Sequence, residues 1–554
     1  MTKTFEKKLF ILELEKIVNS KSVLKTKWSM ESYVKGWRYG EGEAIAVVKP
    51  STLLQIWKIL QVCVDKNVIV IMQAANTGLT GGSTPYGYDY DRPILVINTM
   101  LIDDIHTINN GKQIVGFPGS TLFGLEKELK NYDREPHSVI GSSCVGASIV
   151  GGVCNNSGGA LVKRGPAYTE LSLYAQINSE GTLILVNNLG IELGKDPDQI
   201  LSNLQNHYYS SASIQYPKKL ASDNKYQKQV RDIDANTPAR FNADGRRLYE
   251  ASGCAGKIAV LAVRLDTYPI PKRSQVFYLG TNSTKVLGKM RRDILSTFKH
   301  LPTSGEYFHR DCYDAAKKYC KDTFVVIDKL GPSFIPKLFE LKRNVDRFAE
   351  KFRFLPNKFS DRIMQFLSKM WPNHLPKRME KYRDEYEHHW VIEMSDEGID
   401  EANEYFEKFF AENEGSFFIC TEMEAKKAIL HRFVIASATP RFFAMNQKKL
   451  GGLMSLDIAL PRNEKEWFEV LPPEMDNLIE MKLYYGHLFC HVMHHNYVVK
   501  KDVDVESLQE KLLKTYDERG AEYPAEHNVG HEYFAKPTLS EFYKQLDPTN
   551  SFNP

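Results

Sequence analysis

With 554 residues, 42% of them hydrophobic and 25% charged, the chain can bury large cores and is expected to form two to four globular domains, which excludes a disordered or fibrous protein. A net charge of +3 is too small for this length to indicate a nucleic-acid partner, so any basic surface has to be local. No uninterrupted apolar run approaches the ~18–20 residues that span a bilayer, and Glu13 and Glu15 interrupt the N-terminal stretch where a secretory signal needs an uncharged core.

In chain order, residues 43–48 read as a short apolar strand ending at Pro50. Ser51-Thr52 then offers an N-cap for an amphipathic helix carrying Leu53, Ile56, Trp57, Leu60 and Val64. A buried strand at 68–72 completes a β-α-β unit. The run Gln-Ala-Ala-Asn-Thr-Gly-Leu-Thr-Gly-Gly-Ser at 73–83 therefore sits at the carboxyl end of a strand, where such units bind phosphates. Strands are expected at 94–98 and 113–116, and a helix at 121–129. A second glycine-rich segment fills 141–159, and strands at 171–178 and 182–186 flank a Glu180-Gly181 turn. A polar excursion over 195–247 leads through Ser-Gly-Cys-Ala-Gly-Lys (252–257) into an apolar strand at 258–265. Beyond Pro269 and Pro271 come a strand at 276–279, a helix at 284–298 and a strand at 323–327. Further strand and helix signals lie at 389–394, 401–412, 416–420 and 453–460. The 8 cysteines form no CxxC pair and read as reduced thiols of a protein on the cytosolic side.

The two glycine-rich segments mix Gly with Ser, Thr and Asn, so together they can present many backbone N–H groups to one extended anionic ligand, best a flavin dinucleotide. No G-x-G-x-x-G opens a helix and no G-x-x-x-x-G-K-[ST] is present, which weighs against NAD and ATP. The segments at 74–83, 139–159 and 252–257 resemble the FAD-binding domain of the vanillyl-alcohol oxidase / p-cresol methylhydroxylase superfamily. Over nearly the whole chain the resemblance is to that superfamily's membrane-associated, quinone-reducing D-lactate dehydrogenases.

The resemblance implies an α+β fold: a two-subdomain vanillyl-alcohol-oxidase-type FAD-binding domain (1–268, completed by 520–554), an α/β cap domain (269–328 and 389–519) and a basic, mainly helical membrane-docking region (329–388). It implies that Ala74, Ala75, Asn76, Thr77, Gly78, Gly82 and Ser83 wrap the pyrophosphate, with Gly141, Ser148, Gly158 and Val260 completing the FAD site. Some relatives attach flavin covalently through a histidine in the first loop. This loop has none, so non-covalent FAD is expected.

Oxidising a 2-hydroxy acid needs a base for the hydroxyl proton and a cation for the carboxylate. His527, in Glu526-His-Asn-Val-Gly530, resembles the family's Glu-His-Gly-Ile-Gly element, with Asn528 replacing the first glycine. It is the expected base, with Glu526 to orient or charge-tune it. Arg432 is the first choice for the carboxylate clamp and Arg441 the second, because guanidinium grips carboxylate through parallel hydrogen bonds. His487 and His494 are further candidates. In related 2-hydroxyacid dehydrogenases the matching histidines and the matching glutamate hold a divalent metal, but residues 488–493 depart from the small acidic turn found there. Substrate-site histidines without metal are therefore expected, and a zinc or manganese ion is the alternative.

Residues 329–383 hold fourteen Lys/Arg against five Asp/Glu, interleaved with Phe334, Phe348, Phe352, Phe354, Phe366, Met370 and Trp371. A solvated helical face and a nucleic-acid surface are open readings. Peripheral docking on an anionic inner-membrane lipid surface fits best, because each Lys or Arg near such lipid gains ~1 kcal/mol while aromatic side chains seat in the interface. The expected function is oxidation of D-lactate to pyruvate with electron transfer to membrane quinone, on the cytoplasmic face of a bacterial inner membrane and without nucleic acid. The alternative is a soluble, metal-assisted FAD-linked dehydrogenase or oxidase of another 2-hydroxy acid.

Overall fold

The computed structural model describes residues 5–138, 146–216, 218–352 and 358–554. Two main sheets occupy the first half of the chain, beside a two-stranded pairing of Arg134–Glu135 with Tyr268–Pro269. The smaller has the strand order Val23–Leu24, Ala46–Val48, Ile94–Asn98, Ile69–Gln73, its last three strands parallel. Thr52 caps the crossover helix Leu53–Asp65 by accepting from the Gln55 N–H, so the chain enters the helix at the residue the sequence marks. The second sheet is antiparallel, in the order Ile105–Ile108, Gln113–Gly116, Ala259–Asp266, Ser172–Ile177, Leu183–Asn187. Helices Lys7–Val18, Leu53–Asp65 and Pro197–Gln205 share one apolar core with both sheets, built on residues such as Leu14, Ile56, Val70, Leu95, Val115, Leu173 and Leu261.

The second half forms one seven-stranded antiparallel sheet, in the order Ser416–Ile419, Ser274–Thr281, His388–Ser395, Ser304–His309, Ile479–His487, Val492–Lys500, Leu450–Ala459. Side chains alternate across its faces with the period of two that a strand imposes. Phe277, Leu279, Trp390, Ile392 and Met394 pack in one core with helices Thr284–Thr297 and Gly398–Glu412. Val276, Tyr278, Phe308 and Val391 pack in the other, with helices Arg310–Tyr319 and Glu422–Val434. The strand expected at 323–327 is instead part of the helix Lys321–Leu330. Its β-branched run imitates a strand, but Phe324 is buried against His374 and His431, and tertiary packing of one helical face overrides local propensity.

The basic stretch folds as helices Ile335–Ala349, Phe359–Lys369 and Lys377–Glu385. Leu341, Phe348 and Phe366 are exposed on them, as is Met370 just past the second; Phe354 lies outside the described residues. Among the described residues no helix is long and apolar enough to cross a membrane. The seven described cysteines are free thiols, six of them buried, and Cys144 lies outside the described residues. The last residues return to the first sheet: the Val70 N–H donates to Ser551 O at 2.9 Å and the Asn553 N–H to Val70 O at 3.0 Å.

Candidate active site

One cavity of about 510 Å³ runs from the loop after Ile69–Gln73 to the seven-stranded sheet. The loop end is made of backbone. Gln73 Nε2 donates to Ser83 O at 2.7 Å and to Tyr33 O at 2.9 Å, pinching the base of the loop. Asn76, at φ +53°, uses the left-handed conformation that Asn tolerates, donates to Lys35 O at 2.8 Å and accepts from the Ser83 hydroxyl at 3.2 Å. Among the described residues, the N–H groups of Ala75 through Gly78 donate to no other protein group. Unspent donors facing a cavity between small side chains suit a pyrophosphate, so the residues present fit FAD. Ser148 caps the short helix Ile149–Cys154 by accepting from Gly151 N at 3.0 Å.

The other end is made of charged side chains brought together by strand register. Glu306 lies directly across from His487, and Asp457 and Tyr485 both lie across from His494. The contacts follow this pairing. His487 Nδ1 is 2.6 Å from Glu306 Oε1, and His494 Nδ1 is 3.2 Å from Asp457 Oδ1. The two Nε2 atoms then face each other at 3.4 Å, with Glu526 Oε2 at 3.4 Å from His487 and 3.9 Å from His494. Arg432 Nη2 pairs with Glu306 Oε2 at 2.8 Å, and its guanidinium lies 4.6 Å over the Tyr485 ring. Its Nε is buried without a partner among the described residues. Asp457 Oδ2 accepts from the Glu526 N–H at 2.7 Å and holds His527 Nδ1 at 2.8 Å, which leaves the far nitrogen of the His527 ring for the cavity it lines.

Burial opposes charge on all these groups, and their partners decide the outcome. Against that penalty, Arg432 and His487 hold the Glu306 carboxyl down at about 2. Arg240 and His487 do the same for Glu526, also to about 2. His527 and His494 hold Asp457 well below the usual carboxylate range despite its burial. For His487, Glu306 and Glu526 overcome burial and raise the imidazolium to about 10. For His494 burial wins over Asp457 and lowers the pKa. For His527, Asp457 outweighs burial and raises it.

Ala74, Ala75, Asn76, Thr77, Gly78, Gly82, Ser83, Ser148, Gly158 and Val260 all line this one cavity, as do Arg432, His487, His494, Glu526 and His527. Gly141 lies outside the described residues. Glu526 does not touch His527: its carboxylate faces Arg240 and His487 and acts on His527 through its charge alone, which raises the pKa, while Asp457 makes the contact. Arg441 is turned away from the cavity, paired with Asp322 at 2.8 Å and Asp361 at 3.1 Å. Sequence reasoning missed Glu306, Asp457, Tyr485 and Arg240. A lone acid in the apolar strand expected at 453–460 was the available signal for Asp457. The ligand atoms of His487, His494 and Glu526 lie within 4.8 Å of one another and could hold a divalent ion, their Nδ1 atoms being oriented by carboxylates.

Residues 44–184 match the family model "FAD binding domain", and residues 276–554 match "D-lactate dehydrogenase, membrane binding". The solved structure of p-cresol methylhydroxylase with substrate bound superposes with a TM-score of 0.58 over 99% of this chain and 96% of that one, at 11% identity. The glycine loops, the two sheets behind them and these matches define an FAD-binding oxidoreductase with the vanillyl-alcohol-oxidase-type fold. The quinone-dependent D-lactate dehydrogenase of Haemophilus influenzae is 57% identical over 98% of this chain and 97% of its own length. That of Escherichia coli is 52% identical over 100% and 96%. The chain belongs to the quinone-dependent D-lactate dehydrogenases.

Proposed function

We propose that this chain oxidises D-lactate to pyruvate and passes the electrons to membrane quinone while docked through its basic helices on the cytoplasmic face of the inner membrane. Residues 1–268 and 520–554 form its flavin domain, 269–328 and 389–519 its cap, and 329–388 its membrane-facing region. Bound FAD supplies the two-electron acceptor for the hydrogen leaving C2 of the substrate. With no histidine in the loop 74–83, non-covalent binding is the reading. Arg432 takes the substrate carboxylate through its unpartnered Nε. His527 takes the hydroxyl proton at its cavity-side nitrogen, and Asp457 fixes the tautomer and stabilises the imidazolium that results. His487, held charged between Glu306 and Glu526, supplies fixed positive charge where the carboxylate arrives.

The observation that carries this reading is the pair of Arg432 and His527 in the wall of the cavity that the glycine loops also line. The test is an anaerobic titration of the purified protein with D- and L-lactate, following visible flavin absorbance. D-lactate bleaches the flavin and L-lactate leaves it oxidised; bleaching by L-lactate alone would sink the proposal. The close approach of His487, His494 and Glu526 favours one second reading, in which these residues hold a zinc or manganese ion that polarises a substrate oxygen. Loss of bleaching on chelation, restored by one of those ions, supports it.

A further inference from the structure

The cavity has a third wall that lactate chemistry does not use. Ile327, Ile335, Ile429, Phe433 and Ala436 line it, and they come from the helices Lys321–Leu330, Ile335–Ala349 and Glu422–Val434 and the turn that follows. A hydroxy acid of three carbons, gripped by Arg432 and His527, has no need of five apolar side chains. Ile429 and Phe433 are one helical turn apart, 41% and 36% exposed, and they flank Arg432 on the same helix. Ile335 and Leu338 are buried on the helix Ile335–Ala349. Leu341 and Phe348 are exposed on that helix, which belongs to the basic stretch. Across the opening, Arg38 Nη2 donates to Ala436 O at 2.9 Å and ties the flavin domain to this wall.

We infer that this apolar wall is the quinone site: the ring of a lipid-soluble quinone enters from the bilayer over the partly exposed Ile429 and Phe433 of the helix Glu422–Val434 and reaches the flavin end of the cavity without crossing water. This rests on the proposed function and adds to it the acceptor's place. The fit is chemical. A quinone ring is flat and apolar, with two carbonyl oxygens, and Thr323 and Ser437 bring hydroxyl donors to the lining of the same cavity. Ile335 of this wall belongs to the same helix that exposes Leu341 and Phe348 in the basic stretch, so the isoprenoid tail stays in the membrane while the ring enters. The reaction balances without another reactant: lactate loses two electrons and two protons in becoming pyruvate, and the quinone takes up two electrons and two protons in becoming the quinol.

The test uses the full-length holoenzyme on anionic vesicles carrying a long-chain isoprenoid quinone, with Ile429→Glu and Phe433→Glu variants. Dithionite first reduces the flavin anaerobically, and reoxidation by the quinone vesicles is then followed. A carboxylate on the path of an apolar ring is expected to cost at least about tenfold in the reoxidation rate. Ferricyanide reduction, flavin content and vesicle retention should stay at wild-type values. Unchanged quinone reoxidation overturns the site. So does an equal loss with ferricyanide or a loss of flavin, which would make the wall a seat for the cofactor, or release from vesicles, which would make it a docking surface. Because dithionite supplies the electrons, a flavin that D-lactate fails to bleach would defeat the proposed function and leave this test standing.

Discussion

At the loop Ala74–Ser83 the cavity wall is backbone and small side chains, whereas at the sheet end Glu306, Asp457 and Glu526 each face cationic or imidazole groups. The first surface stores its affinity in chain conformation: donors are held open, and an anion completes them. The second stores it in cross-strand register, and most of its charges are already neutralised before substrate arrives. On the proposed reading, an anion is bound at one end by groups without net charge, and at the other by the guanidinium nitrogen that Glu306 leaves free. Damage at the loop should cost cofactor, and damage at the sheet should cost turnover.

The sharpest break is His527→Ala. Loss of a positioned base is expected to lower kcat by about 10²–10⁴-fold, while flavin content, read from the visible-to-ultraviolet absorbance ratio, stays at wild type. If flavin were lost instead, the division between the two ends would fail. Gly158→Ala tests the boundary between them. A Cβ there would stand 2.4 Å from Glu526 Oε1, and Arg240 and His487 pin that carboxylate in place. Forcing such a shift costs about 1–3 kcal/mol, so roughly 5–150-fold weaker flavin retention on dilution is expected, with turnover falling in parallel. Arg432→Lys keeps the charge beside Glu306 but gives up the second donor. The loss of about 1.5–3 kcal/mol should appear as a roughly 10–150-fold drop in kcat/KM for D-lactate at unchanged flavin content.

The smallest expected effect is on pH. His527 works as a base only when neutral, and Asp457 raises its pKa above the ordinary value, so activity is lost as pH falls through a midpoint above about 6.5. Asp457→Asn removes the largest raising charge and leaves burial opposed only by the weaker pull of Glu526 and Glu532, which lowers the pKa. The acid limb of kcat/KM should therefore move to lower pH. An unmoved limb would assign it to another group. The raised His527 adds folding stability that is fully present below the unfolded value of about 6.5 and lost as pH rises through the raised one, while the depressed Asp457 loses its own contribution as pH falls.

The loop end was legible because its chemistry is local: the small residues at 74–83 follow their strand directly, and the Thr52 cap marks the helix before it. His527 was picked out by motif resemblance and Arg432 by guanidinium chemistry, and both line the cavity. Glu306 and Asp457 were not, since what matters about each is the residue opposite it on another strand. Asp457 meets His494, and Glu306 meets a histidine 181 residues away. Nothing in the residues around Asp457 or Glu306 states that register. The strand expected at 323–327 failed for a related reason, because Phe324 became helical to fill a pocket built by His374 and His431.

The return of residues 551–553 to Val70 bears on how the protein is made. Asn553 also donates from its amide to Gly82 O at 2.8 Å and to Ala255 O at 2.7 Å, and Gly82 lies 471 residues earlier in the chain. At about 5–20 residues per second, a ribosome needs roughly 25–95 s to deliver that partner. Through that interval the nascent flavin loop lacks both its sheet neighbour and the tie to Gly82, and His527 has yet to be made. The final ties of the loop at 74–83 thus form only after residues 551–553 have been made, and a chain halted before residue 520 would lack both those ties and the proposed base.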